Sequence, residues 1–164
     1  MMPKLAIAAI AIAILALGGG KLVGATRSDA ARVVRVVDGD TVVVRTGGHE
    51  ERVRYIGMDT PESVKPGTPV QCFAKRASAF NKHLVAGERV RLVRDAEERD
   101  RYGRLLAYVY RSRDHLFVNA GLVRGGYAVP LTVPPNVAHA EEFRTLAAVA
   151  RRKGRGLWSF CRSS

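Results

Sequence analysis

Along the first half of the chain, apolar β-branched residues come in short runs bounded by turn residues. Arg32 to Val37 and Asp40 to Thr46 flank Asp38-Gly39, and Asp-Gly between two such runs is a strong hairpin signal. A second turn at Thr46-Gly47-Gly48 leads into Glu51 to Gly57, where Val53, Tyr55 and Gly57 alternate with Arg52, Arg54 and Ile56. The pattern predicts three consecutive strands in a meander. Pro61, Pro66, Gly67 and Pro69 mark a loop, after which the period changes. Phe73, Ala77, Phe80 and Leu84 form one apolar stripe at helical spacing, so Val70 to Ala86 reads as a helix ended by Gly87. Glu88 to Arg94 alternates again, with Val90 and Leu92 on one face. A charged loop from Asp95 to Gly103 precedes a fifth strand at Arg104 to Tyr110. Asp114 is placed to cap a short helix running to Gly121. A last helix, Ala138 to Lys153, carries Phe143, Leu146, Ala147 and Ala150 on one side.

Three strands, a helix and two more strands predict an α+β, mainly β fold. The specific expectation is a five-stranded OB-fold barrel with three helices, one of them inserted between strands three and four. Such barrels commonly present a face and loops to oligonucleotides, although fold alone does not establish function.

Residues 1–25 differ in kind from the rest. Lys4 precedes a run from Leu5 to Leu17 in which every residue is Leu, Ala or Ile, and Val23-Gly24-Ala25 offers a small-residue cleavage site. This is the pattern of a secretion signal removed after Ala25. The run is short of the ~20 apolar residues that span a bilayer, which disfavours the alternative of an uncleaved extracytoplasmic anchor. The expectation is a secreted, extracellular domain at 26–164, contacting membrane only if the leader is retained. The chain has a net charge of +12. The leader contributes only Lys4 and Lys21 to it, so the domain itself favours a polyanionic partner. Cys72 and Cys161 form no CxxC motif, and in an oxidising compartment they are expected to pair as a disulfide rather than remain buried thiols.

Three charged segments carry candidate chemistry: Asp38-Gly39-Asp40-Thr41, Asp59-Thr60-Pro61-Glu62 and Asp100-Arg101-Tyr102-Gly103-Arg104. Each alone is a turn, a helix start or a solvated loop. Together they suit phosphodiester cleavage. A hard cation takes oxygen ligands, and Asp40 and Asp59 supply two carboxylates if the first and third strands pair. Thr60 precedes a proline, so its backbone is held extended and its carbonyl is a third candidate ligand. Arg54 and Arg104 present paired donors for the charge that grows on phosphate oxygens, and Glu62 can accept a proton from water. His49, His83, His115 and His139 have no metal-ligand spacing and read as surface imidazoles. Trp158 reads as packing for a terminal segment, and Arg151-Arg152-Lys153 as a solvated helix end. No nucleophile-elbow motif is present.

The segments VDGDTV, VRYIGMDTPE and DRYGRLLAY, followed by VNAGLVRGGYA and GLW, resemble the signature blocks of the thermonuclease family over about Arg32 to Trp158. The resemblance implies calcium-dependent hydrolysis of DNA and RNA that leaves 3′-phosphates. It implies Asp40, Asp59 and the Thr60 carbonyl as Ca2+ ligands, with Asp38 beside them, and Arg54, Arg104 and Glu62 as the catalytic groups. Arg101 and Tyr102 match positions that touch substrate phosphates. Nucleic acid is the expected partner, with no stable protein partner and a monomeric state. A non-catalytic nucleic-acid-binding barrel is the alternative, but it has no chemical need for the full set Asp40, Arg54, Asp59, Glu62 and Arg104. The chain departs from the family's type member in two ways. Val129 to Asn136 lacks the tyrosines that stack on a base, leaving Tyr127 as a weak substitute, and the two cysteines are additional.

Overall fold

The computed structural model describes residues 28–62, 67 and 69–161; the expected leader lies outside them. Strands β1 (Ser28–Val36), β2 (Thr41–Thr46) and β3 (His49–Tyr55) form the meander, followed by a short β4 (Met58–Asp59). Helix α1 (Ala74–Val85) precedes β5 (Arg89–Val93) and β6 (Leu105–Arg111), and α2 (Val118–Arg124) leads to β7 (Val129–Pro130). Helices α3 (Ala140–Arg152) and α4 (Leu157–Phe160) complete the order.

The five long strands close in the order β1-β2-β3-β6-β5, the mainly β barrel that the strand order predicted. Gly47 and Gly48, with φ of 54° and 86°, form the two-residue turn that joins β2 to β3. Only such a turn matches the twist of the paired strands. Closure uses antiparallel pairing of β1 with β5 and parallel pairing of β3 with β6. The first and third strands therefore do not pair, and the route expected to bring Asp40 to Asp59 is corrected: β1 bonds to β2 and β5.

Inward positions alternate as the sequence requires. Val33, Val44, Val53, Tyr55, Val90, Leu92, Leu105 and Val109 are buried and fill the barrel. Phe143 of α3 is fully buried over the turn at Gly57, whose φ is +81° and where a Cβ would come within 2.5 Å of the Phe143 ring. Burial of that ring contributes on the order of 2–3 kcal/mol. Buried Asn119 ties α2 to the barrel, accepting from the Val109 N–H at 2.9 Å and donating to the Ile56 carbonyl at 2.9 Å.

Several local expectations are corrected. Helix α1 starts at Ala74 rather than Val70, because Phe73 has a left-handed φ of 71° and breaks the helical ladder. Asp114 does not cap α2, which starts at Val118. It instead grips Arg111 with both carboxylate oxygens, at 2.9 and 2.6 Å. Four helices rather than three lie among the described residues, and β4 pairs with β7 in a small second sheet. His139 is not a surface imidazole; it packs edge-on against Tyr108 at 4.5 Å and Phe117 at 4.8 Å. Tyr127 stacks on Phe80 at 4.0 Å, so its ring is engaged within the protein. Cys72 and Cys161 form the expected disulfide, with Cα atoms 6.0 Å apart and a sequence separation of 89.

Candidate active site

The hairpin between β1 and β2 puts Asp38 and Asp40 at the mouth of the barrel. From β3, Tyr55 N–H reaches the Asp40 carbonyl at 2.9 Å, which sets Arg54 beside the Asp40 side chain. Past the turn at Gly57, β4 is held by β7, with Asp59 opposite Val129. Arg54 lies between two carboxylates. Its Nη2 donates to Asp59 Oδ1 at 2.5 Å, and its Nη1 forms an ion pair with Asp40 Oδ2. The Nη1 contact is a buried ion pair that is not aligned as a hydrogen bond.

Asp40 is buried and also receives Thr60. The Thr60 N–H and Oγ1 donate to Asp40 Oδ2 at 2.9 and 2.8 Å. Gly39 allows this approach, since a Cβ there would lie 2.6 Å from Thr60 Oγ1. Asp38 accepts from the Asp40 N–H at 3.0 Å. Burial, then the nearby Asp40 carboxylate, push the Asp38 carboxyl up to about 6. Burial also raises Asp59, against the opposing pull of Arg54.

Next to β3, immediately before β6 begins, Asp100 orients Arg104, accepting from its Nε at 2.6 Å and its backbone N–H at 3.0 Å. These bonds hold the Asp100 carboxyl below its usual value even though burial acts the other way. Among the described residues, Arg104 Nη1 and Nη2 take no hydrogen bond, so that edge of the guanidinium is available for an anion. Asp38, Asp40, Arg54, Asp59, Thr60, Glu62, Tyr102 and Arg104 line one cleft of about 730 Å3. Arg101 stands at its rim, donating to Tyr102 Oη at 2.6 Å, and lines an adjoining apolar cleft of about 480 Å3 with Tyr102, Leu131 and Val133.

All the predicted site residues thus converge, and the structure adds four more. Arg52 lines the central cleft; its alternation with Arg54 on β3 is the signal for it. Asp100 positions Arg104. Gln71 brackets Glu62: its side-chain oxygen accepts from the Glu62 N–H at 2.8 Å and its own N–H donates to the Glu62 carbonyl at 3.0 Å. Fully buried Asn81 donates to the Asp38 carbonyl at 2.9 Å and accepts from Tyr55 Oη at 3.0 Å. Neither of the last two has a sequence signal: Asn81 acts across 43 and 26 residues, and Gln71 reaches back nine residues to Glu62 without any periodic pattern.

Among the described residues, no group of three or more His, Cys, Asp or Glu forms a preformed metal cage. The cleft instead offers hard oxygen donors from Asp40, Asp59 and Thr60, with no His or Cys among its described lining residues. That donor set fits a calcium-type cation that keeps waters and accepts substrate oxygens, and it does not fit zinc.

A closed five-stranded barrel with an arginine set between two mouth carboxylates defines a class, and the comparisons agree with it. The family model described as "Staphylococcal nuclease homologue" matches residues 52–160, and the chain belongs to that family. It is 43% identical over 132 residues to the thermonuclease of Staphylococcus intermedius, covering 80% of this chain and 77% of that protein. It is 41% identical over 128 residues to the thermonuclease of Staphylococcus hyicus, covering 78% and 75%. It is also 38% identical over 129 residues to endonuclease YncB of Bacillus subtilis, covering 76% of this chain and 59% of that one.

Proposed function

We propose that the protein is a secreted, calcium-dependent nuclease that hydrolyses phosphodiester bonds of DNA and RNA and leaves 3′-phosphates. The observation that carries this reading is the cleft itself, where Arg54 sits against Asp40 and Asp59, with Glu62 and Arg104 on the same walls. Family membership, and the names of the thermonuclease and endonuclease relatives, support it.

In this reading Asp40, Asp59 and the Thr60 carbonyl would hold Ca2+, which when bound supplies positive charge next to a phosphate oxygen. Asp38 stands behind these ligands and orders the loop through the Asp40 N–H. Glu62 accepts the proton of an attacking water. As the water oxygen bonds to phosphorus and the bond to the 5′-oxygen breaks, charge grows on the remaining phosphate oxygens, and the departing 5′-oxygen takes up a proton from solvent. The free edge of Arg104 and the guanidinium of Arg54 meet that charge. Tyr102 and the aliphatic Leu131 and Val133 take a base in the adjoining cleft, to which the stretch from Val129 to Asn136 brings no tyrosine. Arg101, at the rim, contacts a flanking phosphate.

The test is hydrolysis of single-stranded DNA by the purified protein, with calcium and then with a chelator. Cleavage in calcium to products with 3′-phosphate ends, abolished by the chelator, is the expected result. Binding without cleavage under both conditions would favour the non-catalytic barrel. Amino-terminal sequencing of the exported protein, expected to begin at Thr26, tests removal of the leader.

A further inference from the structure

Three clefts adjoin one another through shared lining residues. The apolar cleft beside Tyr102 shares Arg54, Tyr102 and Arg104 with the central cleft, and the central cleft shares Gln71 with a third of about 190 Å3. The third is lined by Val70, Gln71, Phe73, Ala74, Lys75, Arg76 and Phe160, and none of these described lining residues is acidic.

Its construction depends on the Cys72–Cys161 bridge. Phe160 immediately precedes Cys161, so the bridge brings that ring to the residues before α1. There the Phe160 ring lies 5.7 Å from that of Phe73, and the Arg76 guanidinium stacks over Phe160 at 4.1 Å. A ring placed only to pack would be covered. Phe160 is instead 56% exposed, and Val70 beside it 53%. An exposed aromatic ring under a planar guanidinium, with a lysine next to it, is a stacking surface with a positive edge, the combination that single-stranded nucleic acid recognises.

We infer that this third cleft is a second nucleotide subsite, which takes the base on the far side of the scissile phosphate from the Tyr102 cleft. The inference rests on the nuclease reading of the central cleft. Its occupant is a single strand of DNA or RNA: the base stacks on Phe160 and Arg76, and Lys75 meets the adjoining phosphate. Continuity through Gln71 and the wholly basic charge of the lining select a polyanion over an acidic-loop partner or a second copy of this basic chain. The bridge is then part of the substrate site as well as a cross-link.

The test compares Phe160→Ala, Phe160→Trp and Arg76→Ala with the unaltered protein, with Arg91→Ala as a charge-matched control. Arg91 stacks on Tyr110 at 4.5 Å and lines none of the three clefts. The probe is fluorescein-labelled oligothymidylate of about ten nucleotides, within the usual reach of one OB barrel. It is titrated by anisotropy in chelator so that nothing is cut. Phe160→Ala and Arg76→Ala are expected to weaken Kd roughly five- to tenfold, the loss of one stacked base, and Phe160→Trp to restore it. Arg76→Ala should also flatten the salt dependence more than Arg91→Ala does. In calcium, KM should rise by a similar factor while kcat stays level. Free-thiol titration confirms that each variant retains the bridge; if Phe160→Ala loses it, Arg76→Ala decides. Unchanged Kd in both variants, equal losses in Arg76→Ala and Arg91→Ala, or a self-association that Phe160→Ala abolishes would each overturn the subsite. Absence of hydrolysis by the unaltered protein would strike the nuclease reading instead, and the anisotropy arm would still decide whether the cleft binds the strand.

Discussion

Arg54 takes part in two sets of interactions. It neutralises Asp40 and Asp59 in the resting protein, and it is aimed where phosphate charge would develop. Lysine retains the charge but has no planar pair of donors. Arg54→Lys and Arg104→Lys should each lower kcat about a hundredfold to a thousandfold, the usual cost of losing a positioned donor, with a much smaller effect on binding. Steady-state kinetics on single-stranded DNA checks this, and near-native turnover in both would remove them from the site. Glu62→Gln should also depress kcat while leaving calcium affinity nearly intact, whereas Asp40→Ala should impair calcium binding itself; calorimetric titration separates the two. Far from the cleft, the Arg111 hydrogen bonds lower the Asp114 carboxyl from 3.8 to about 2. A depressed folded-state value gives stabilisation that is complete above about pH 4 and lost as pH falls toward 2. Asp114→Asn should therefore be less stable at neutral pH, and the difference should close across that window when urea midpoints are compared. A constant difference down to pH 2 would mean that the pair contributes no linkage.

At the level of elements, the site is assembled by connections rather than by the long strands alone. β4 is only two residues long and gains its order from β7, so Asp59 depends on a segment that follows α2. Glu62 depends on Gln71, which adjoins the disulfide. Gln71→Ala should lower kcat severalfold, because the carboxylate loses its backbone bracket, while the melting temperature moves little. An equal loss in both would make Gln71 merely structural. The bridge closes a separation of 89 residues, worth about 4–5 kcal/mol in the chain-entropy model. Replacing both cysteines with serine should lower unfolding stability by up to that amount in a denaturant titration, and reductant should do the same to the native protein but not to the variant.

Taken whole, the molecule is a basic barrel around an acidic mouth: the chain carries +12, of which Lys4 and Lys21 of the expected leader supply only two. In the proposed reading, bulk charge attracts the polyanion and the local carboxylates hold a cation, so the two signs serve different steps. The stretch from Val129 to Asn136 contains no tyrosine, and phosphate contacts should therefore carry most of the affinity. If Arg54, Lys75, Arg101 and Arg104 each neutralise one phosphate, the logarithm of affinity should fall with that of salt concentration at a slope of roughly −3 for a single strand. Oligonucleotide titrations at several salt concentrations measure that slope, and a nearly flat one would show that base contacts dominate.

Much of the site was readable before any fold was known, for a local reason. Asp38-Gly39, Gly47-Gly48 and the alternation of Val53 and Tyr55 with Arg52 and Arg54 report backbone sterics and burial within a few residues. Strand order, the meander and the identity of the charged groups follow from such signals. What the chain could not reveal locally was every relation that depends on closure. The parallel pairing of β3 with β6, the holding of β4 by β7, and the pin at Asn81 join segments whose separation carries no periodic trace. The same limit applies to Asp114, which has the right residue type for a helix cap but finds a better-matched guanidinium in Arg111. Sequence alone determined which residues could do the chemistry, because side-chain type and local backbone preference are intrinsic to the chain. Only the tertiary structure decided that Arg54 lies between Asp40 and Asp59 and that Phe160 lies beside Arg76, because those contacts form only once the barrel closes and the disulfide brings in the tail.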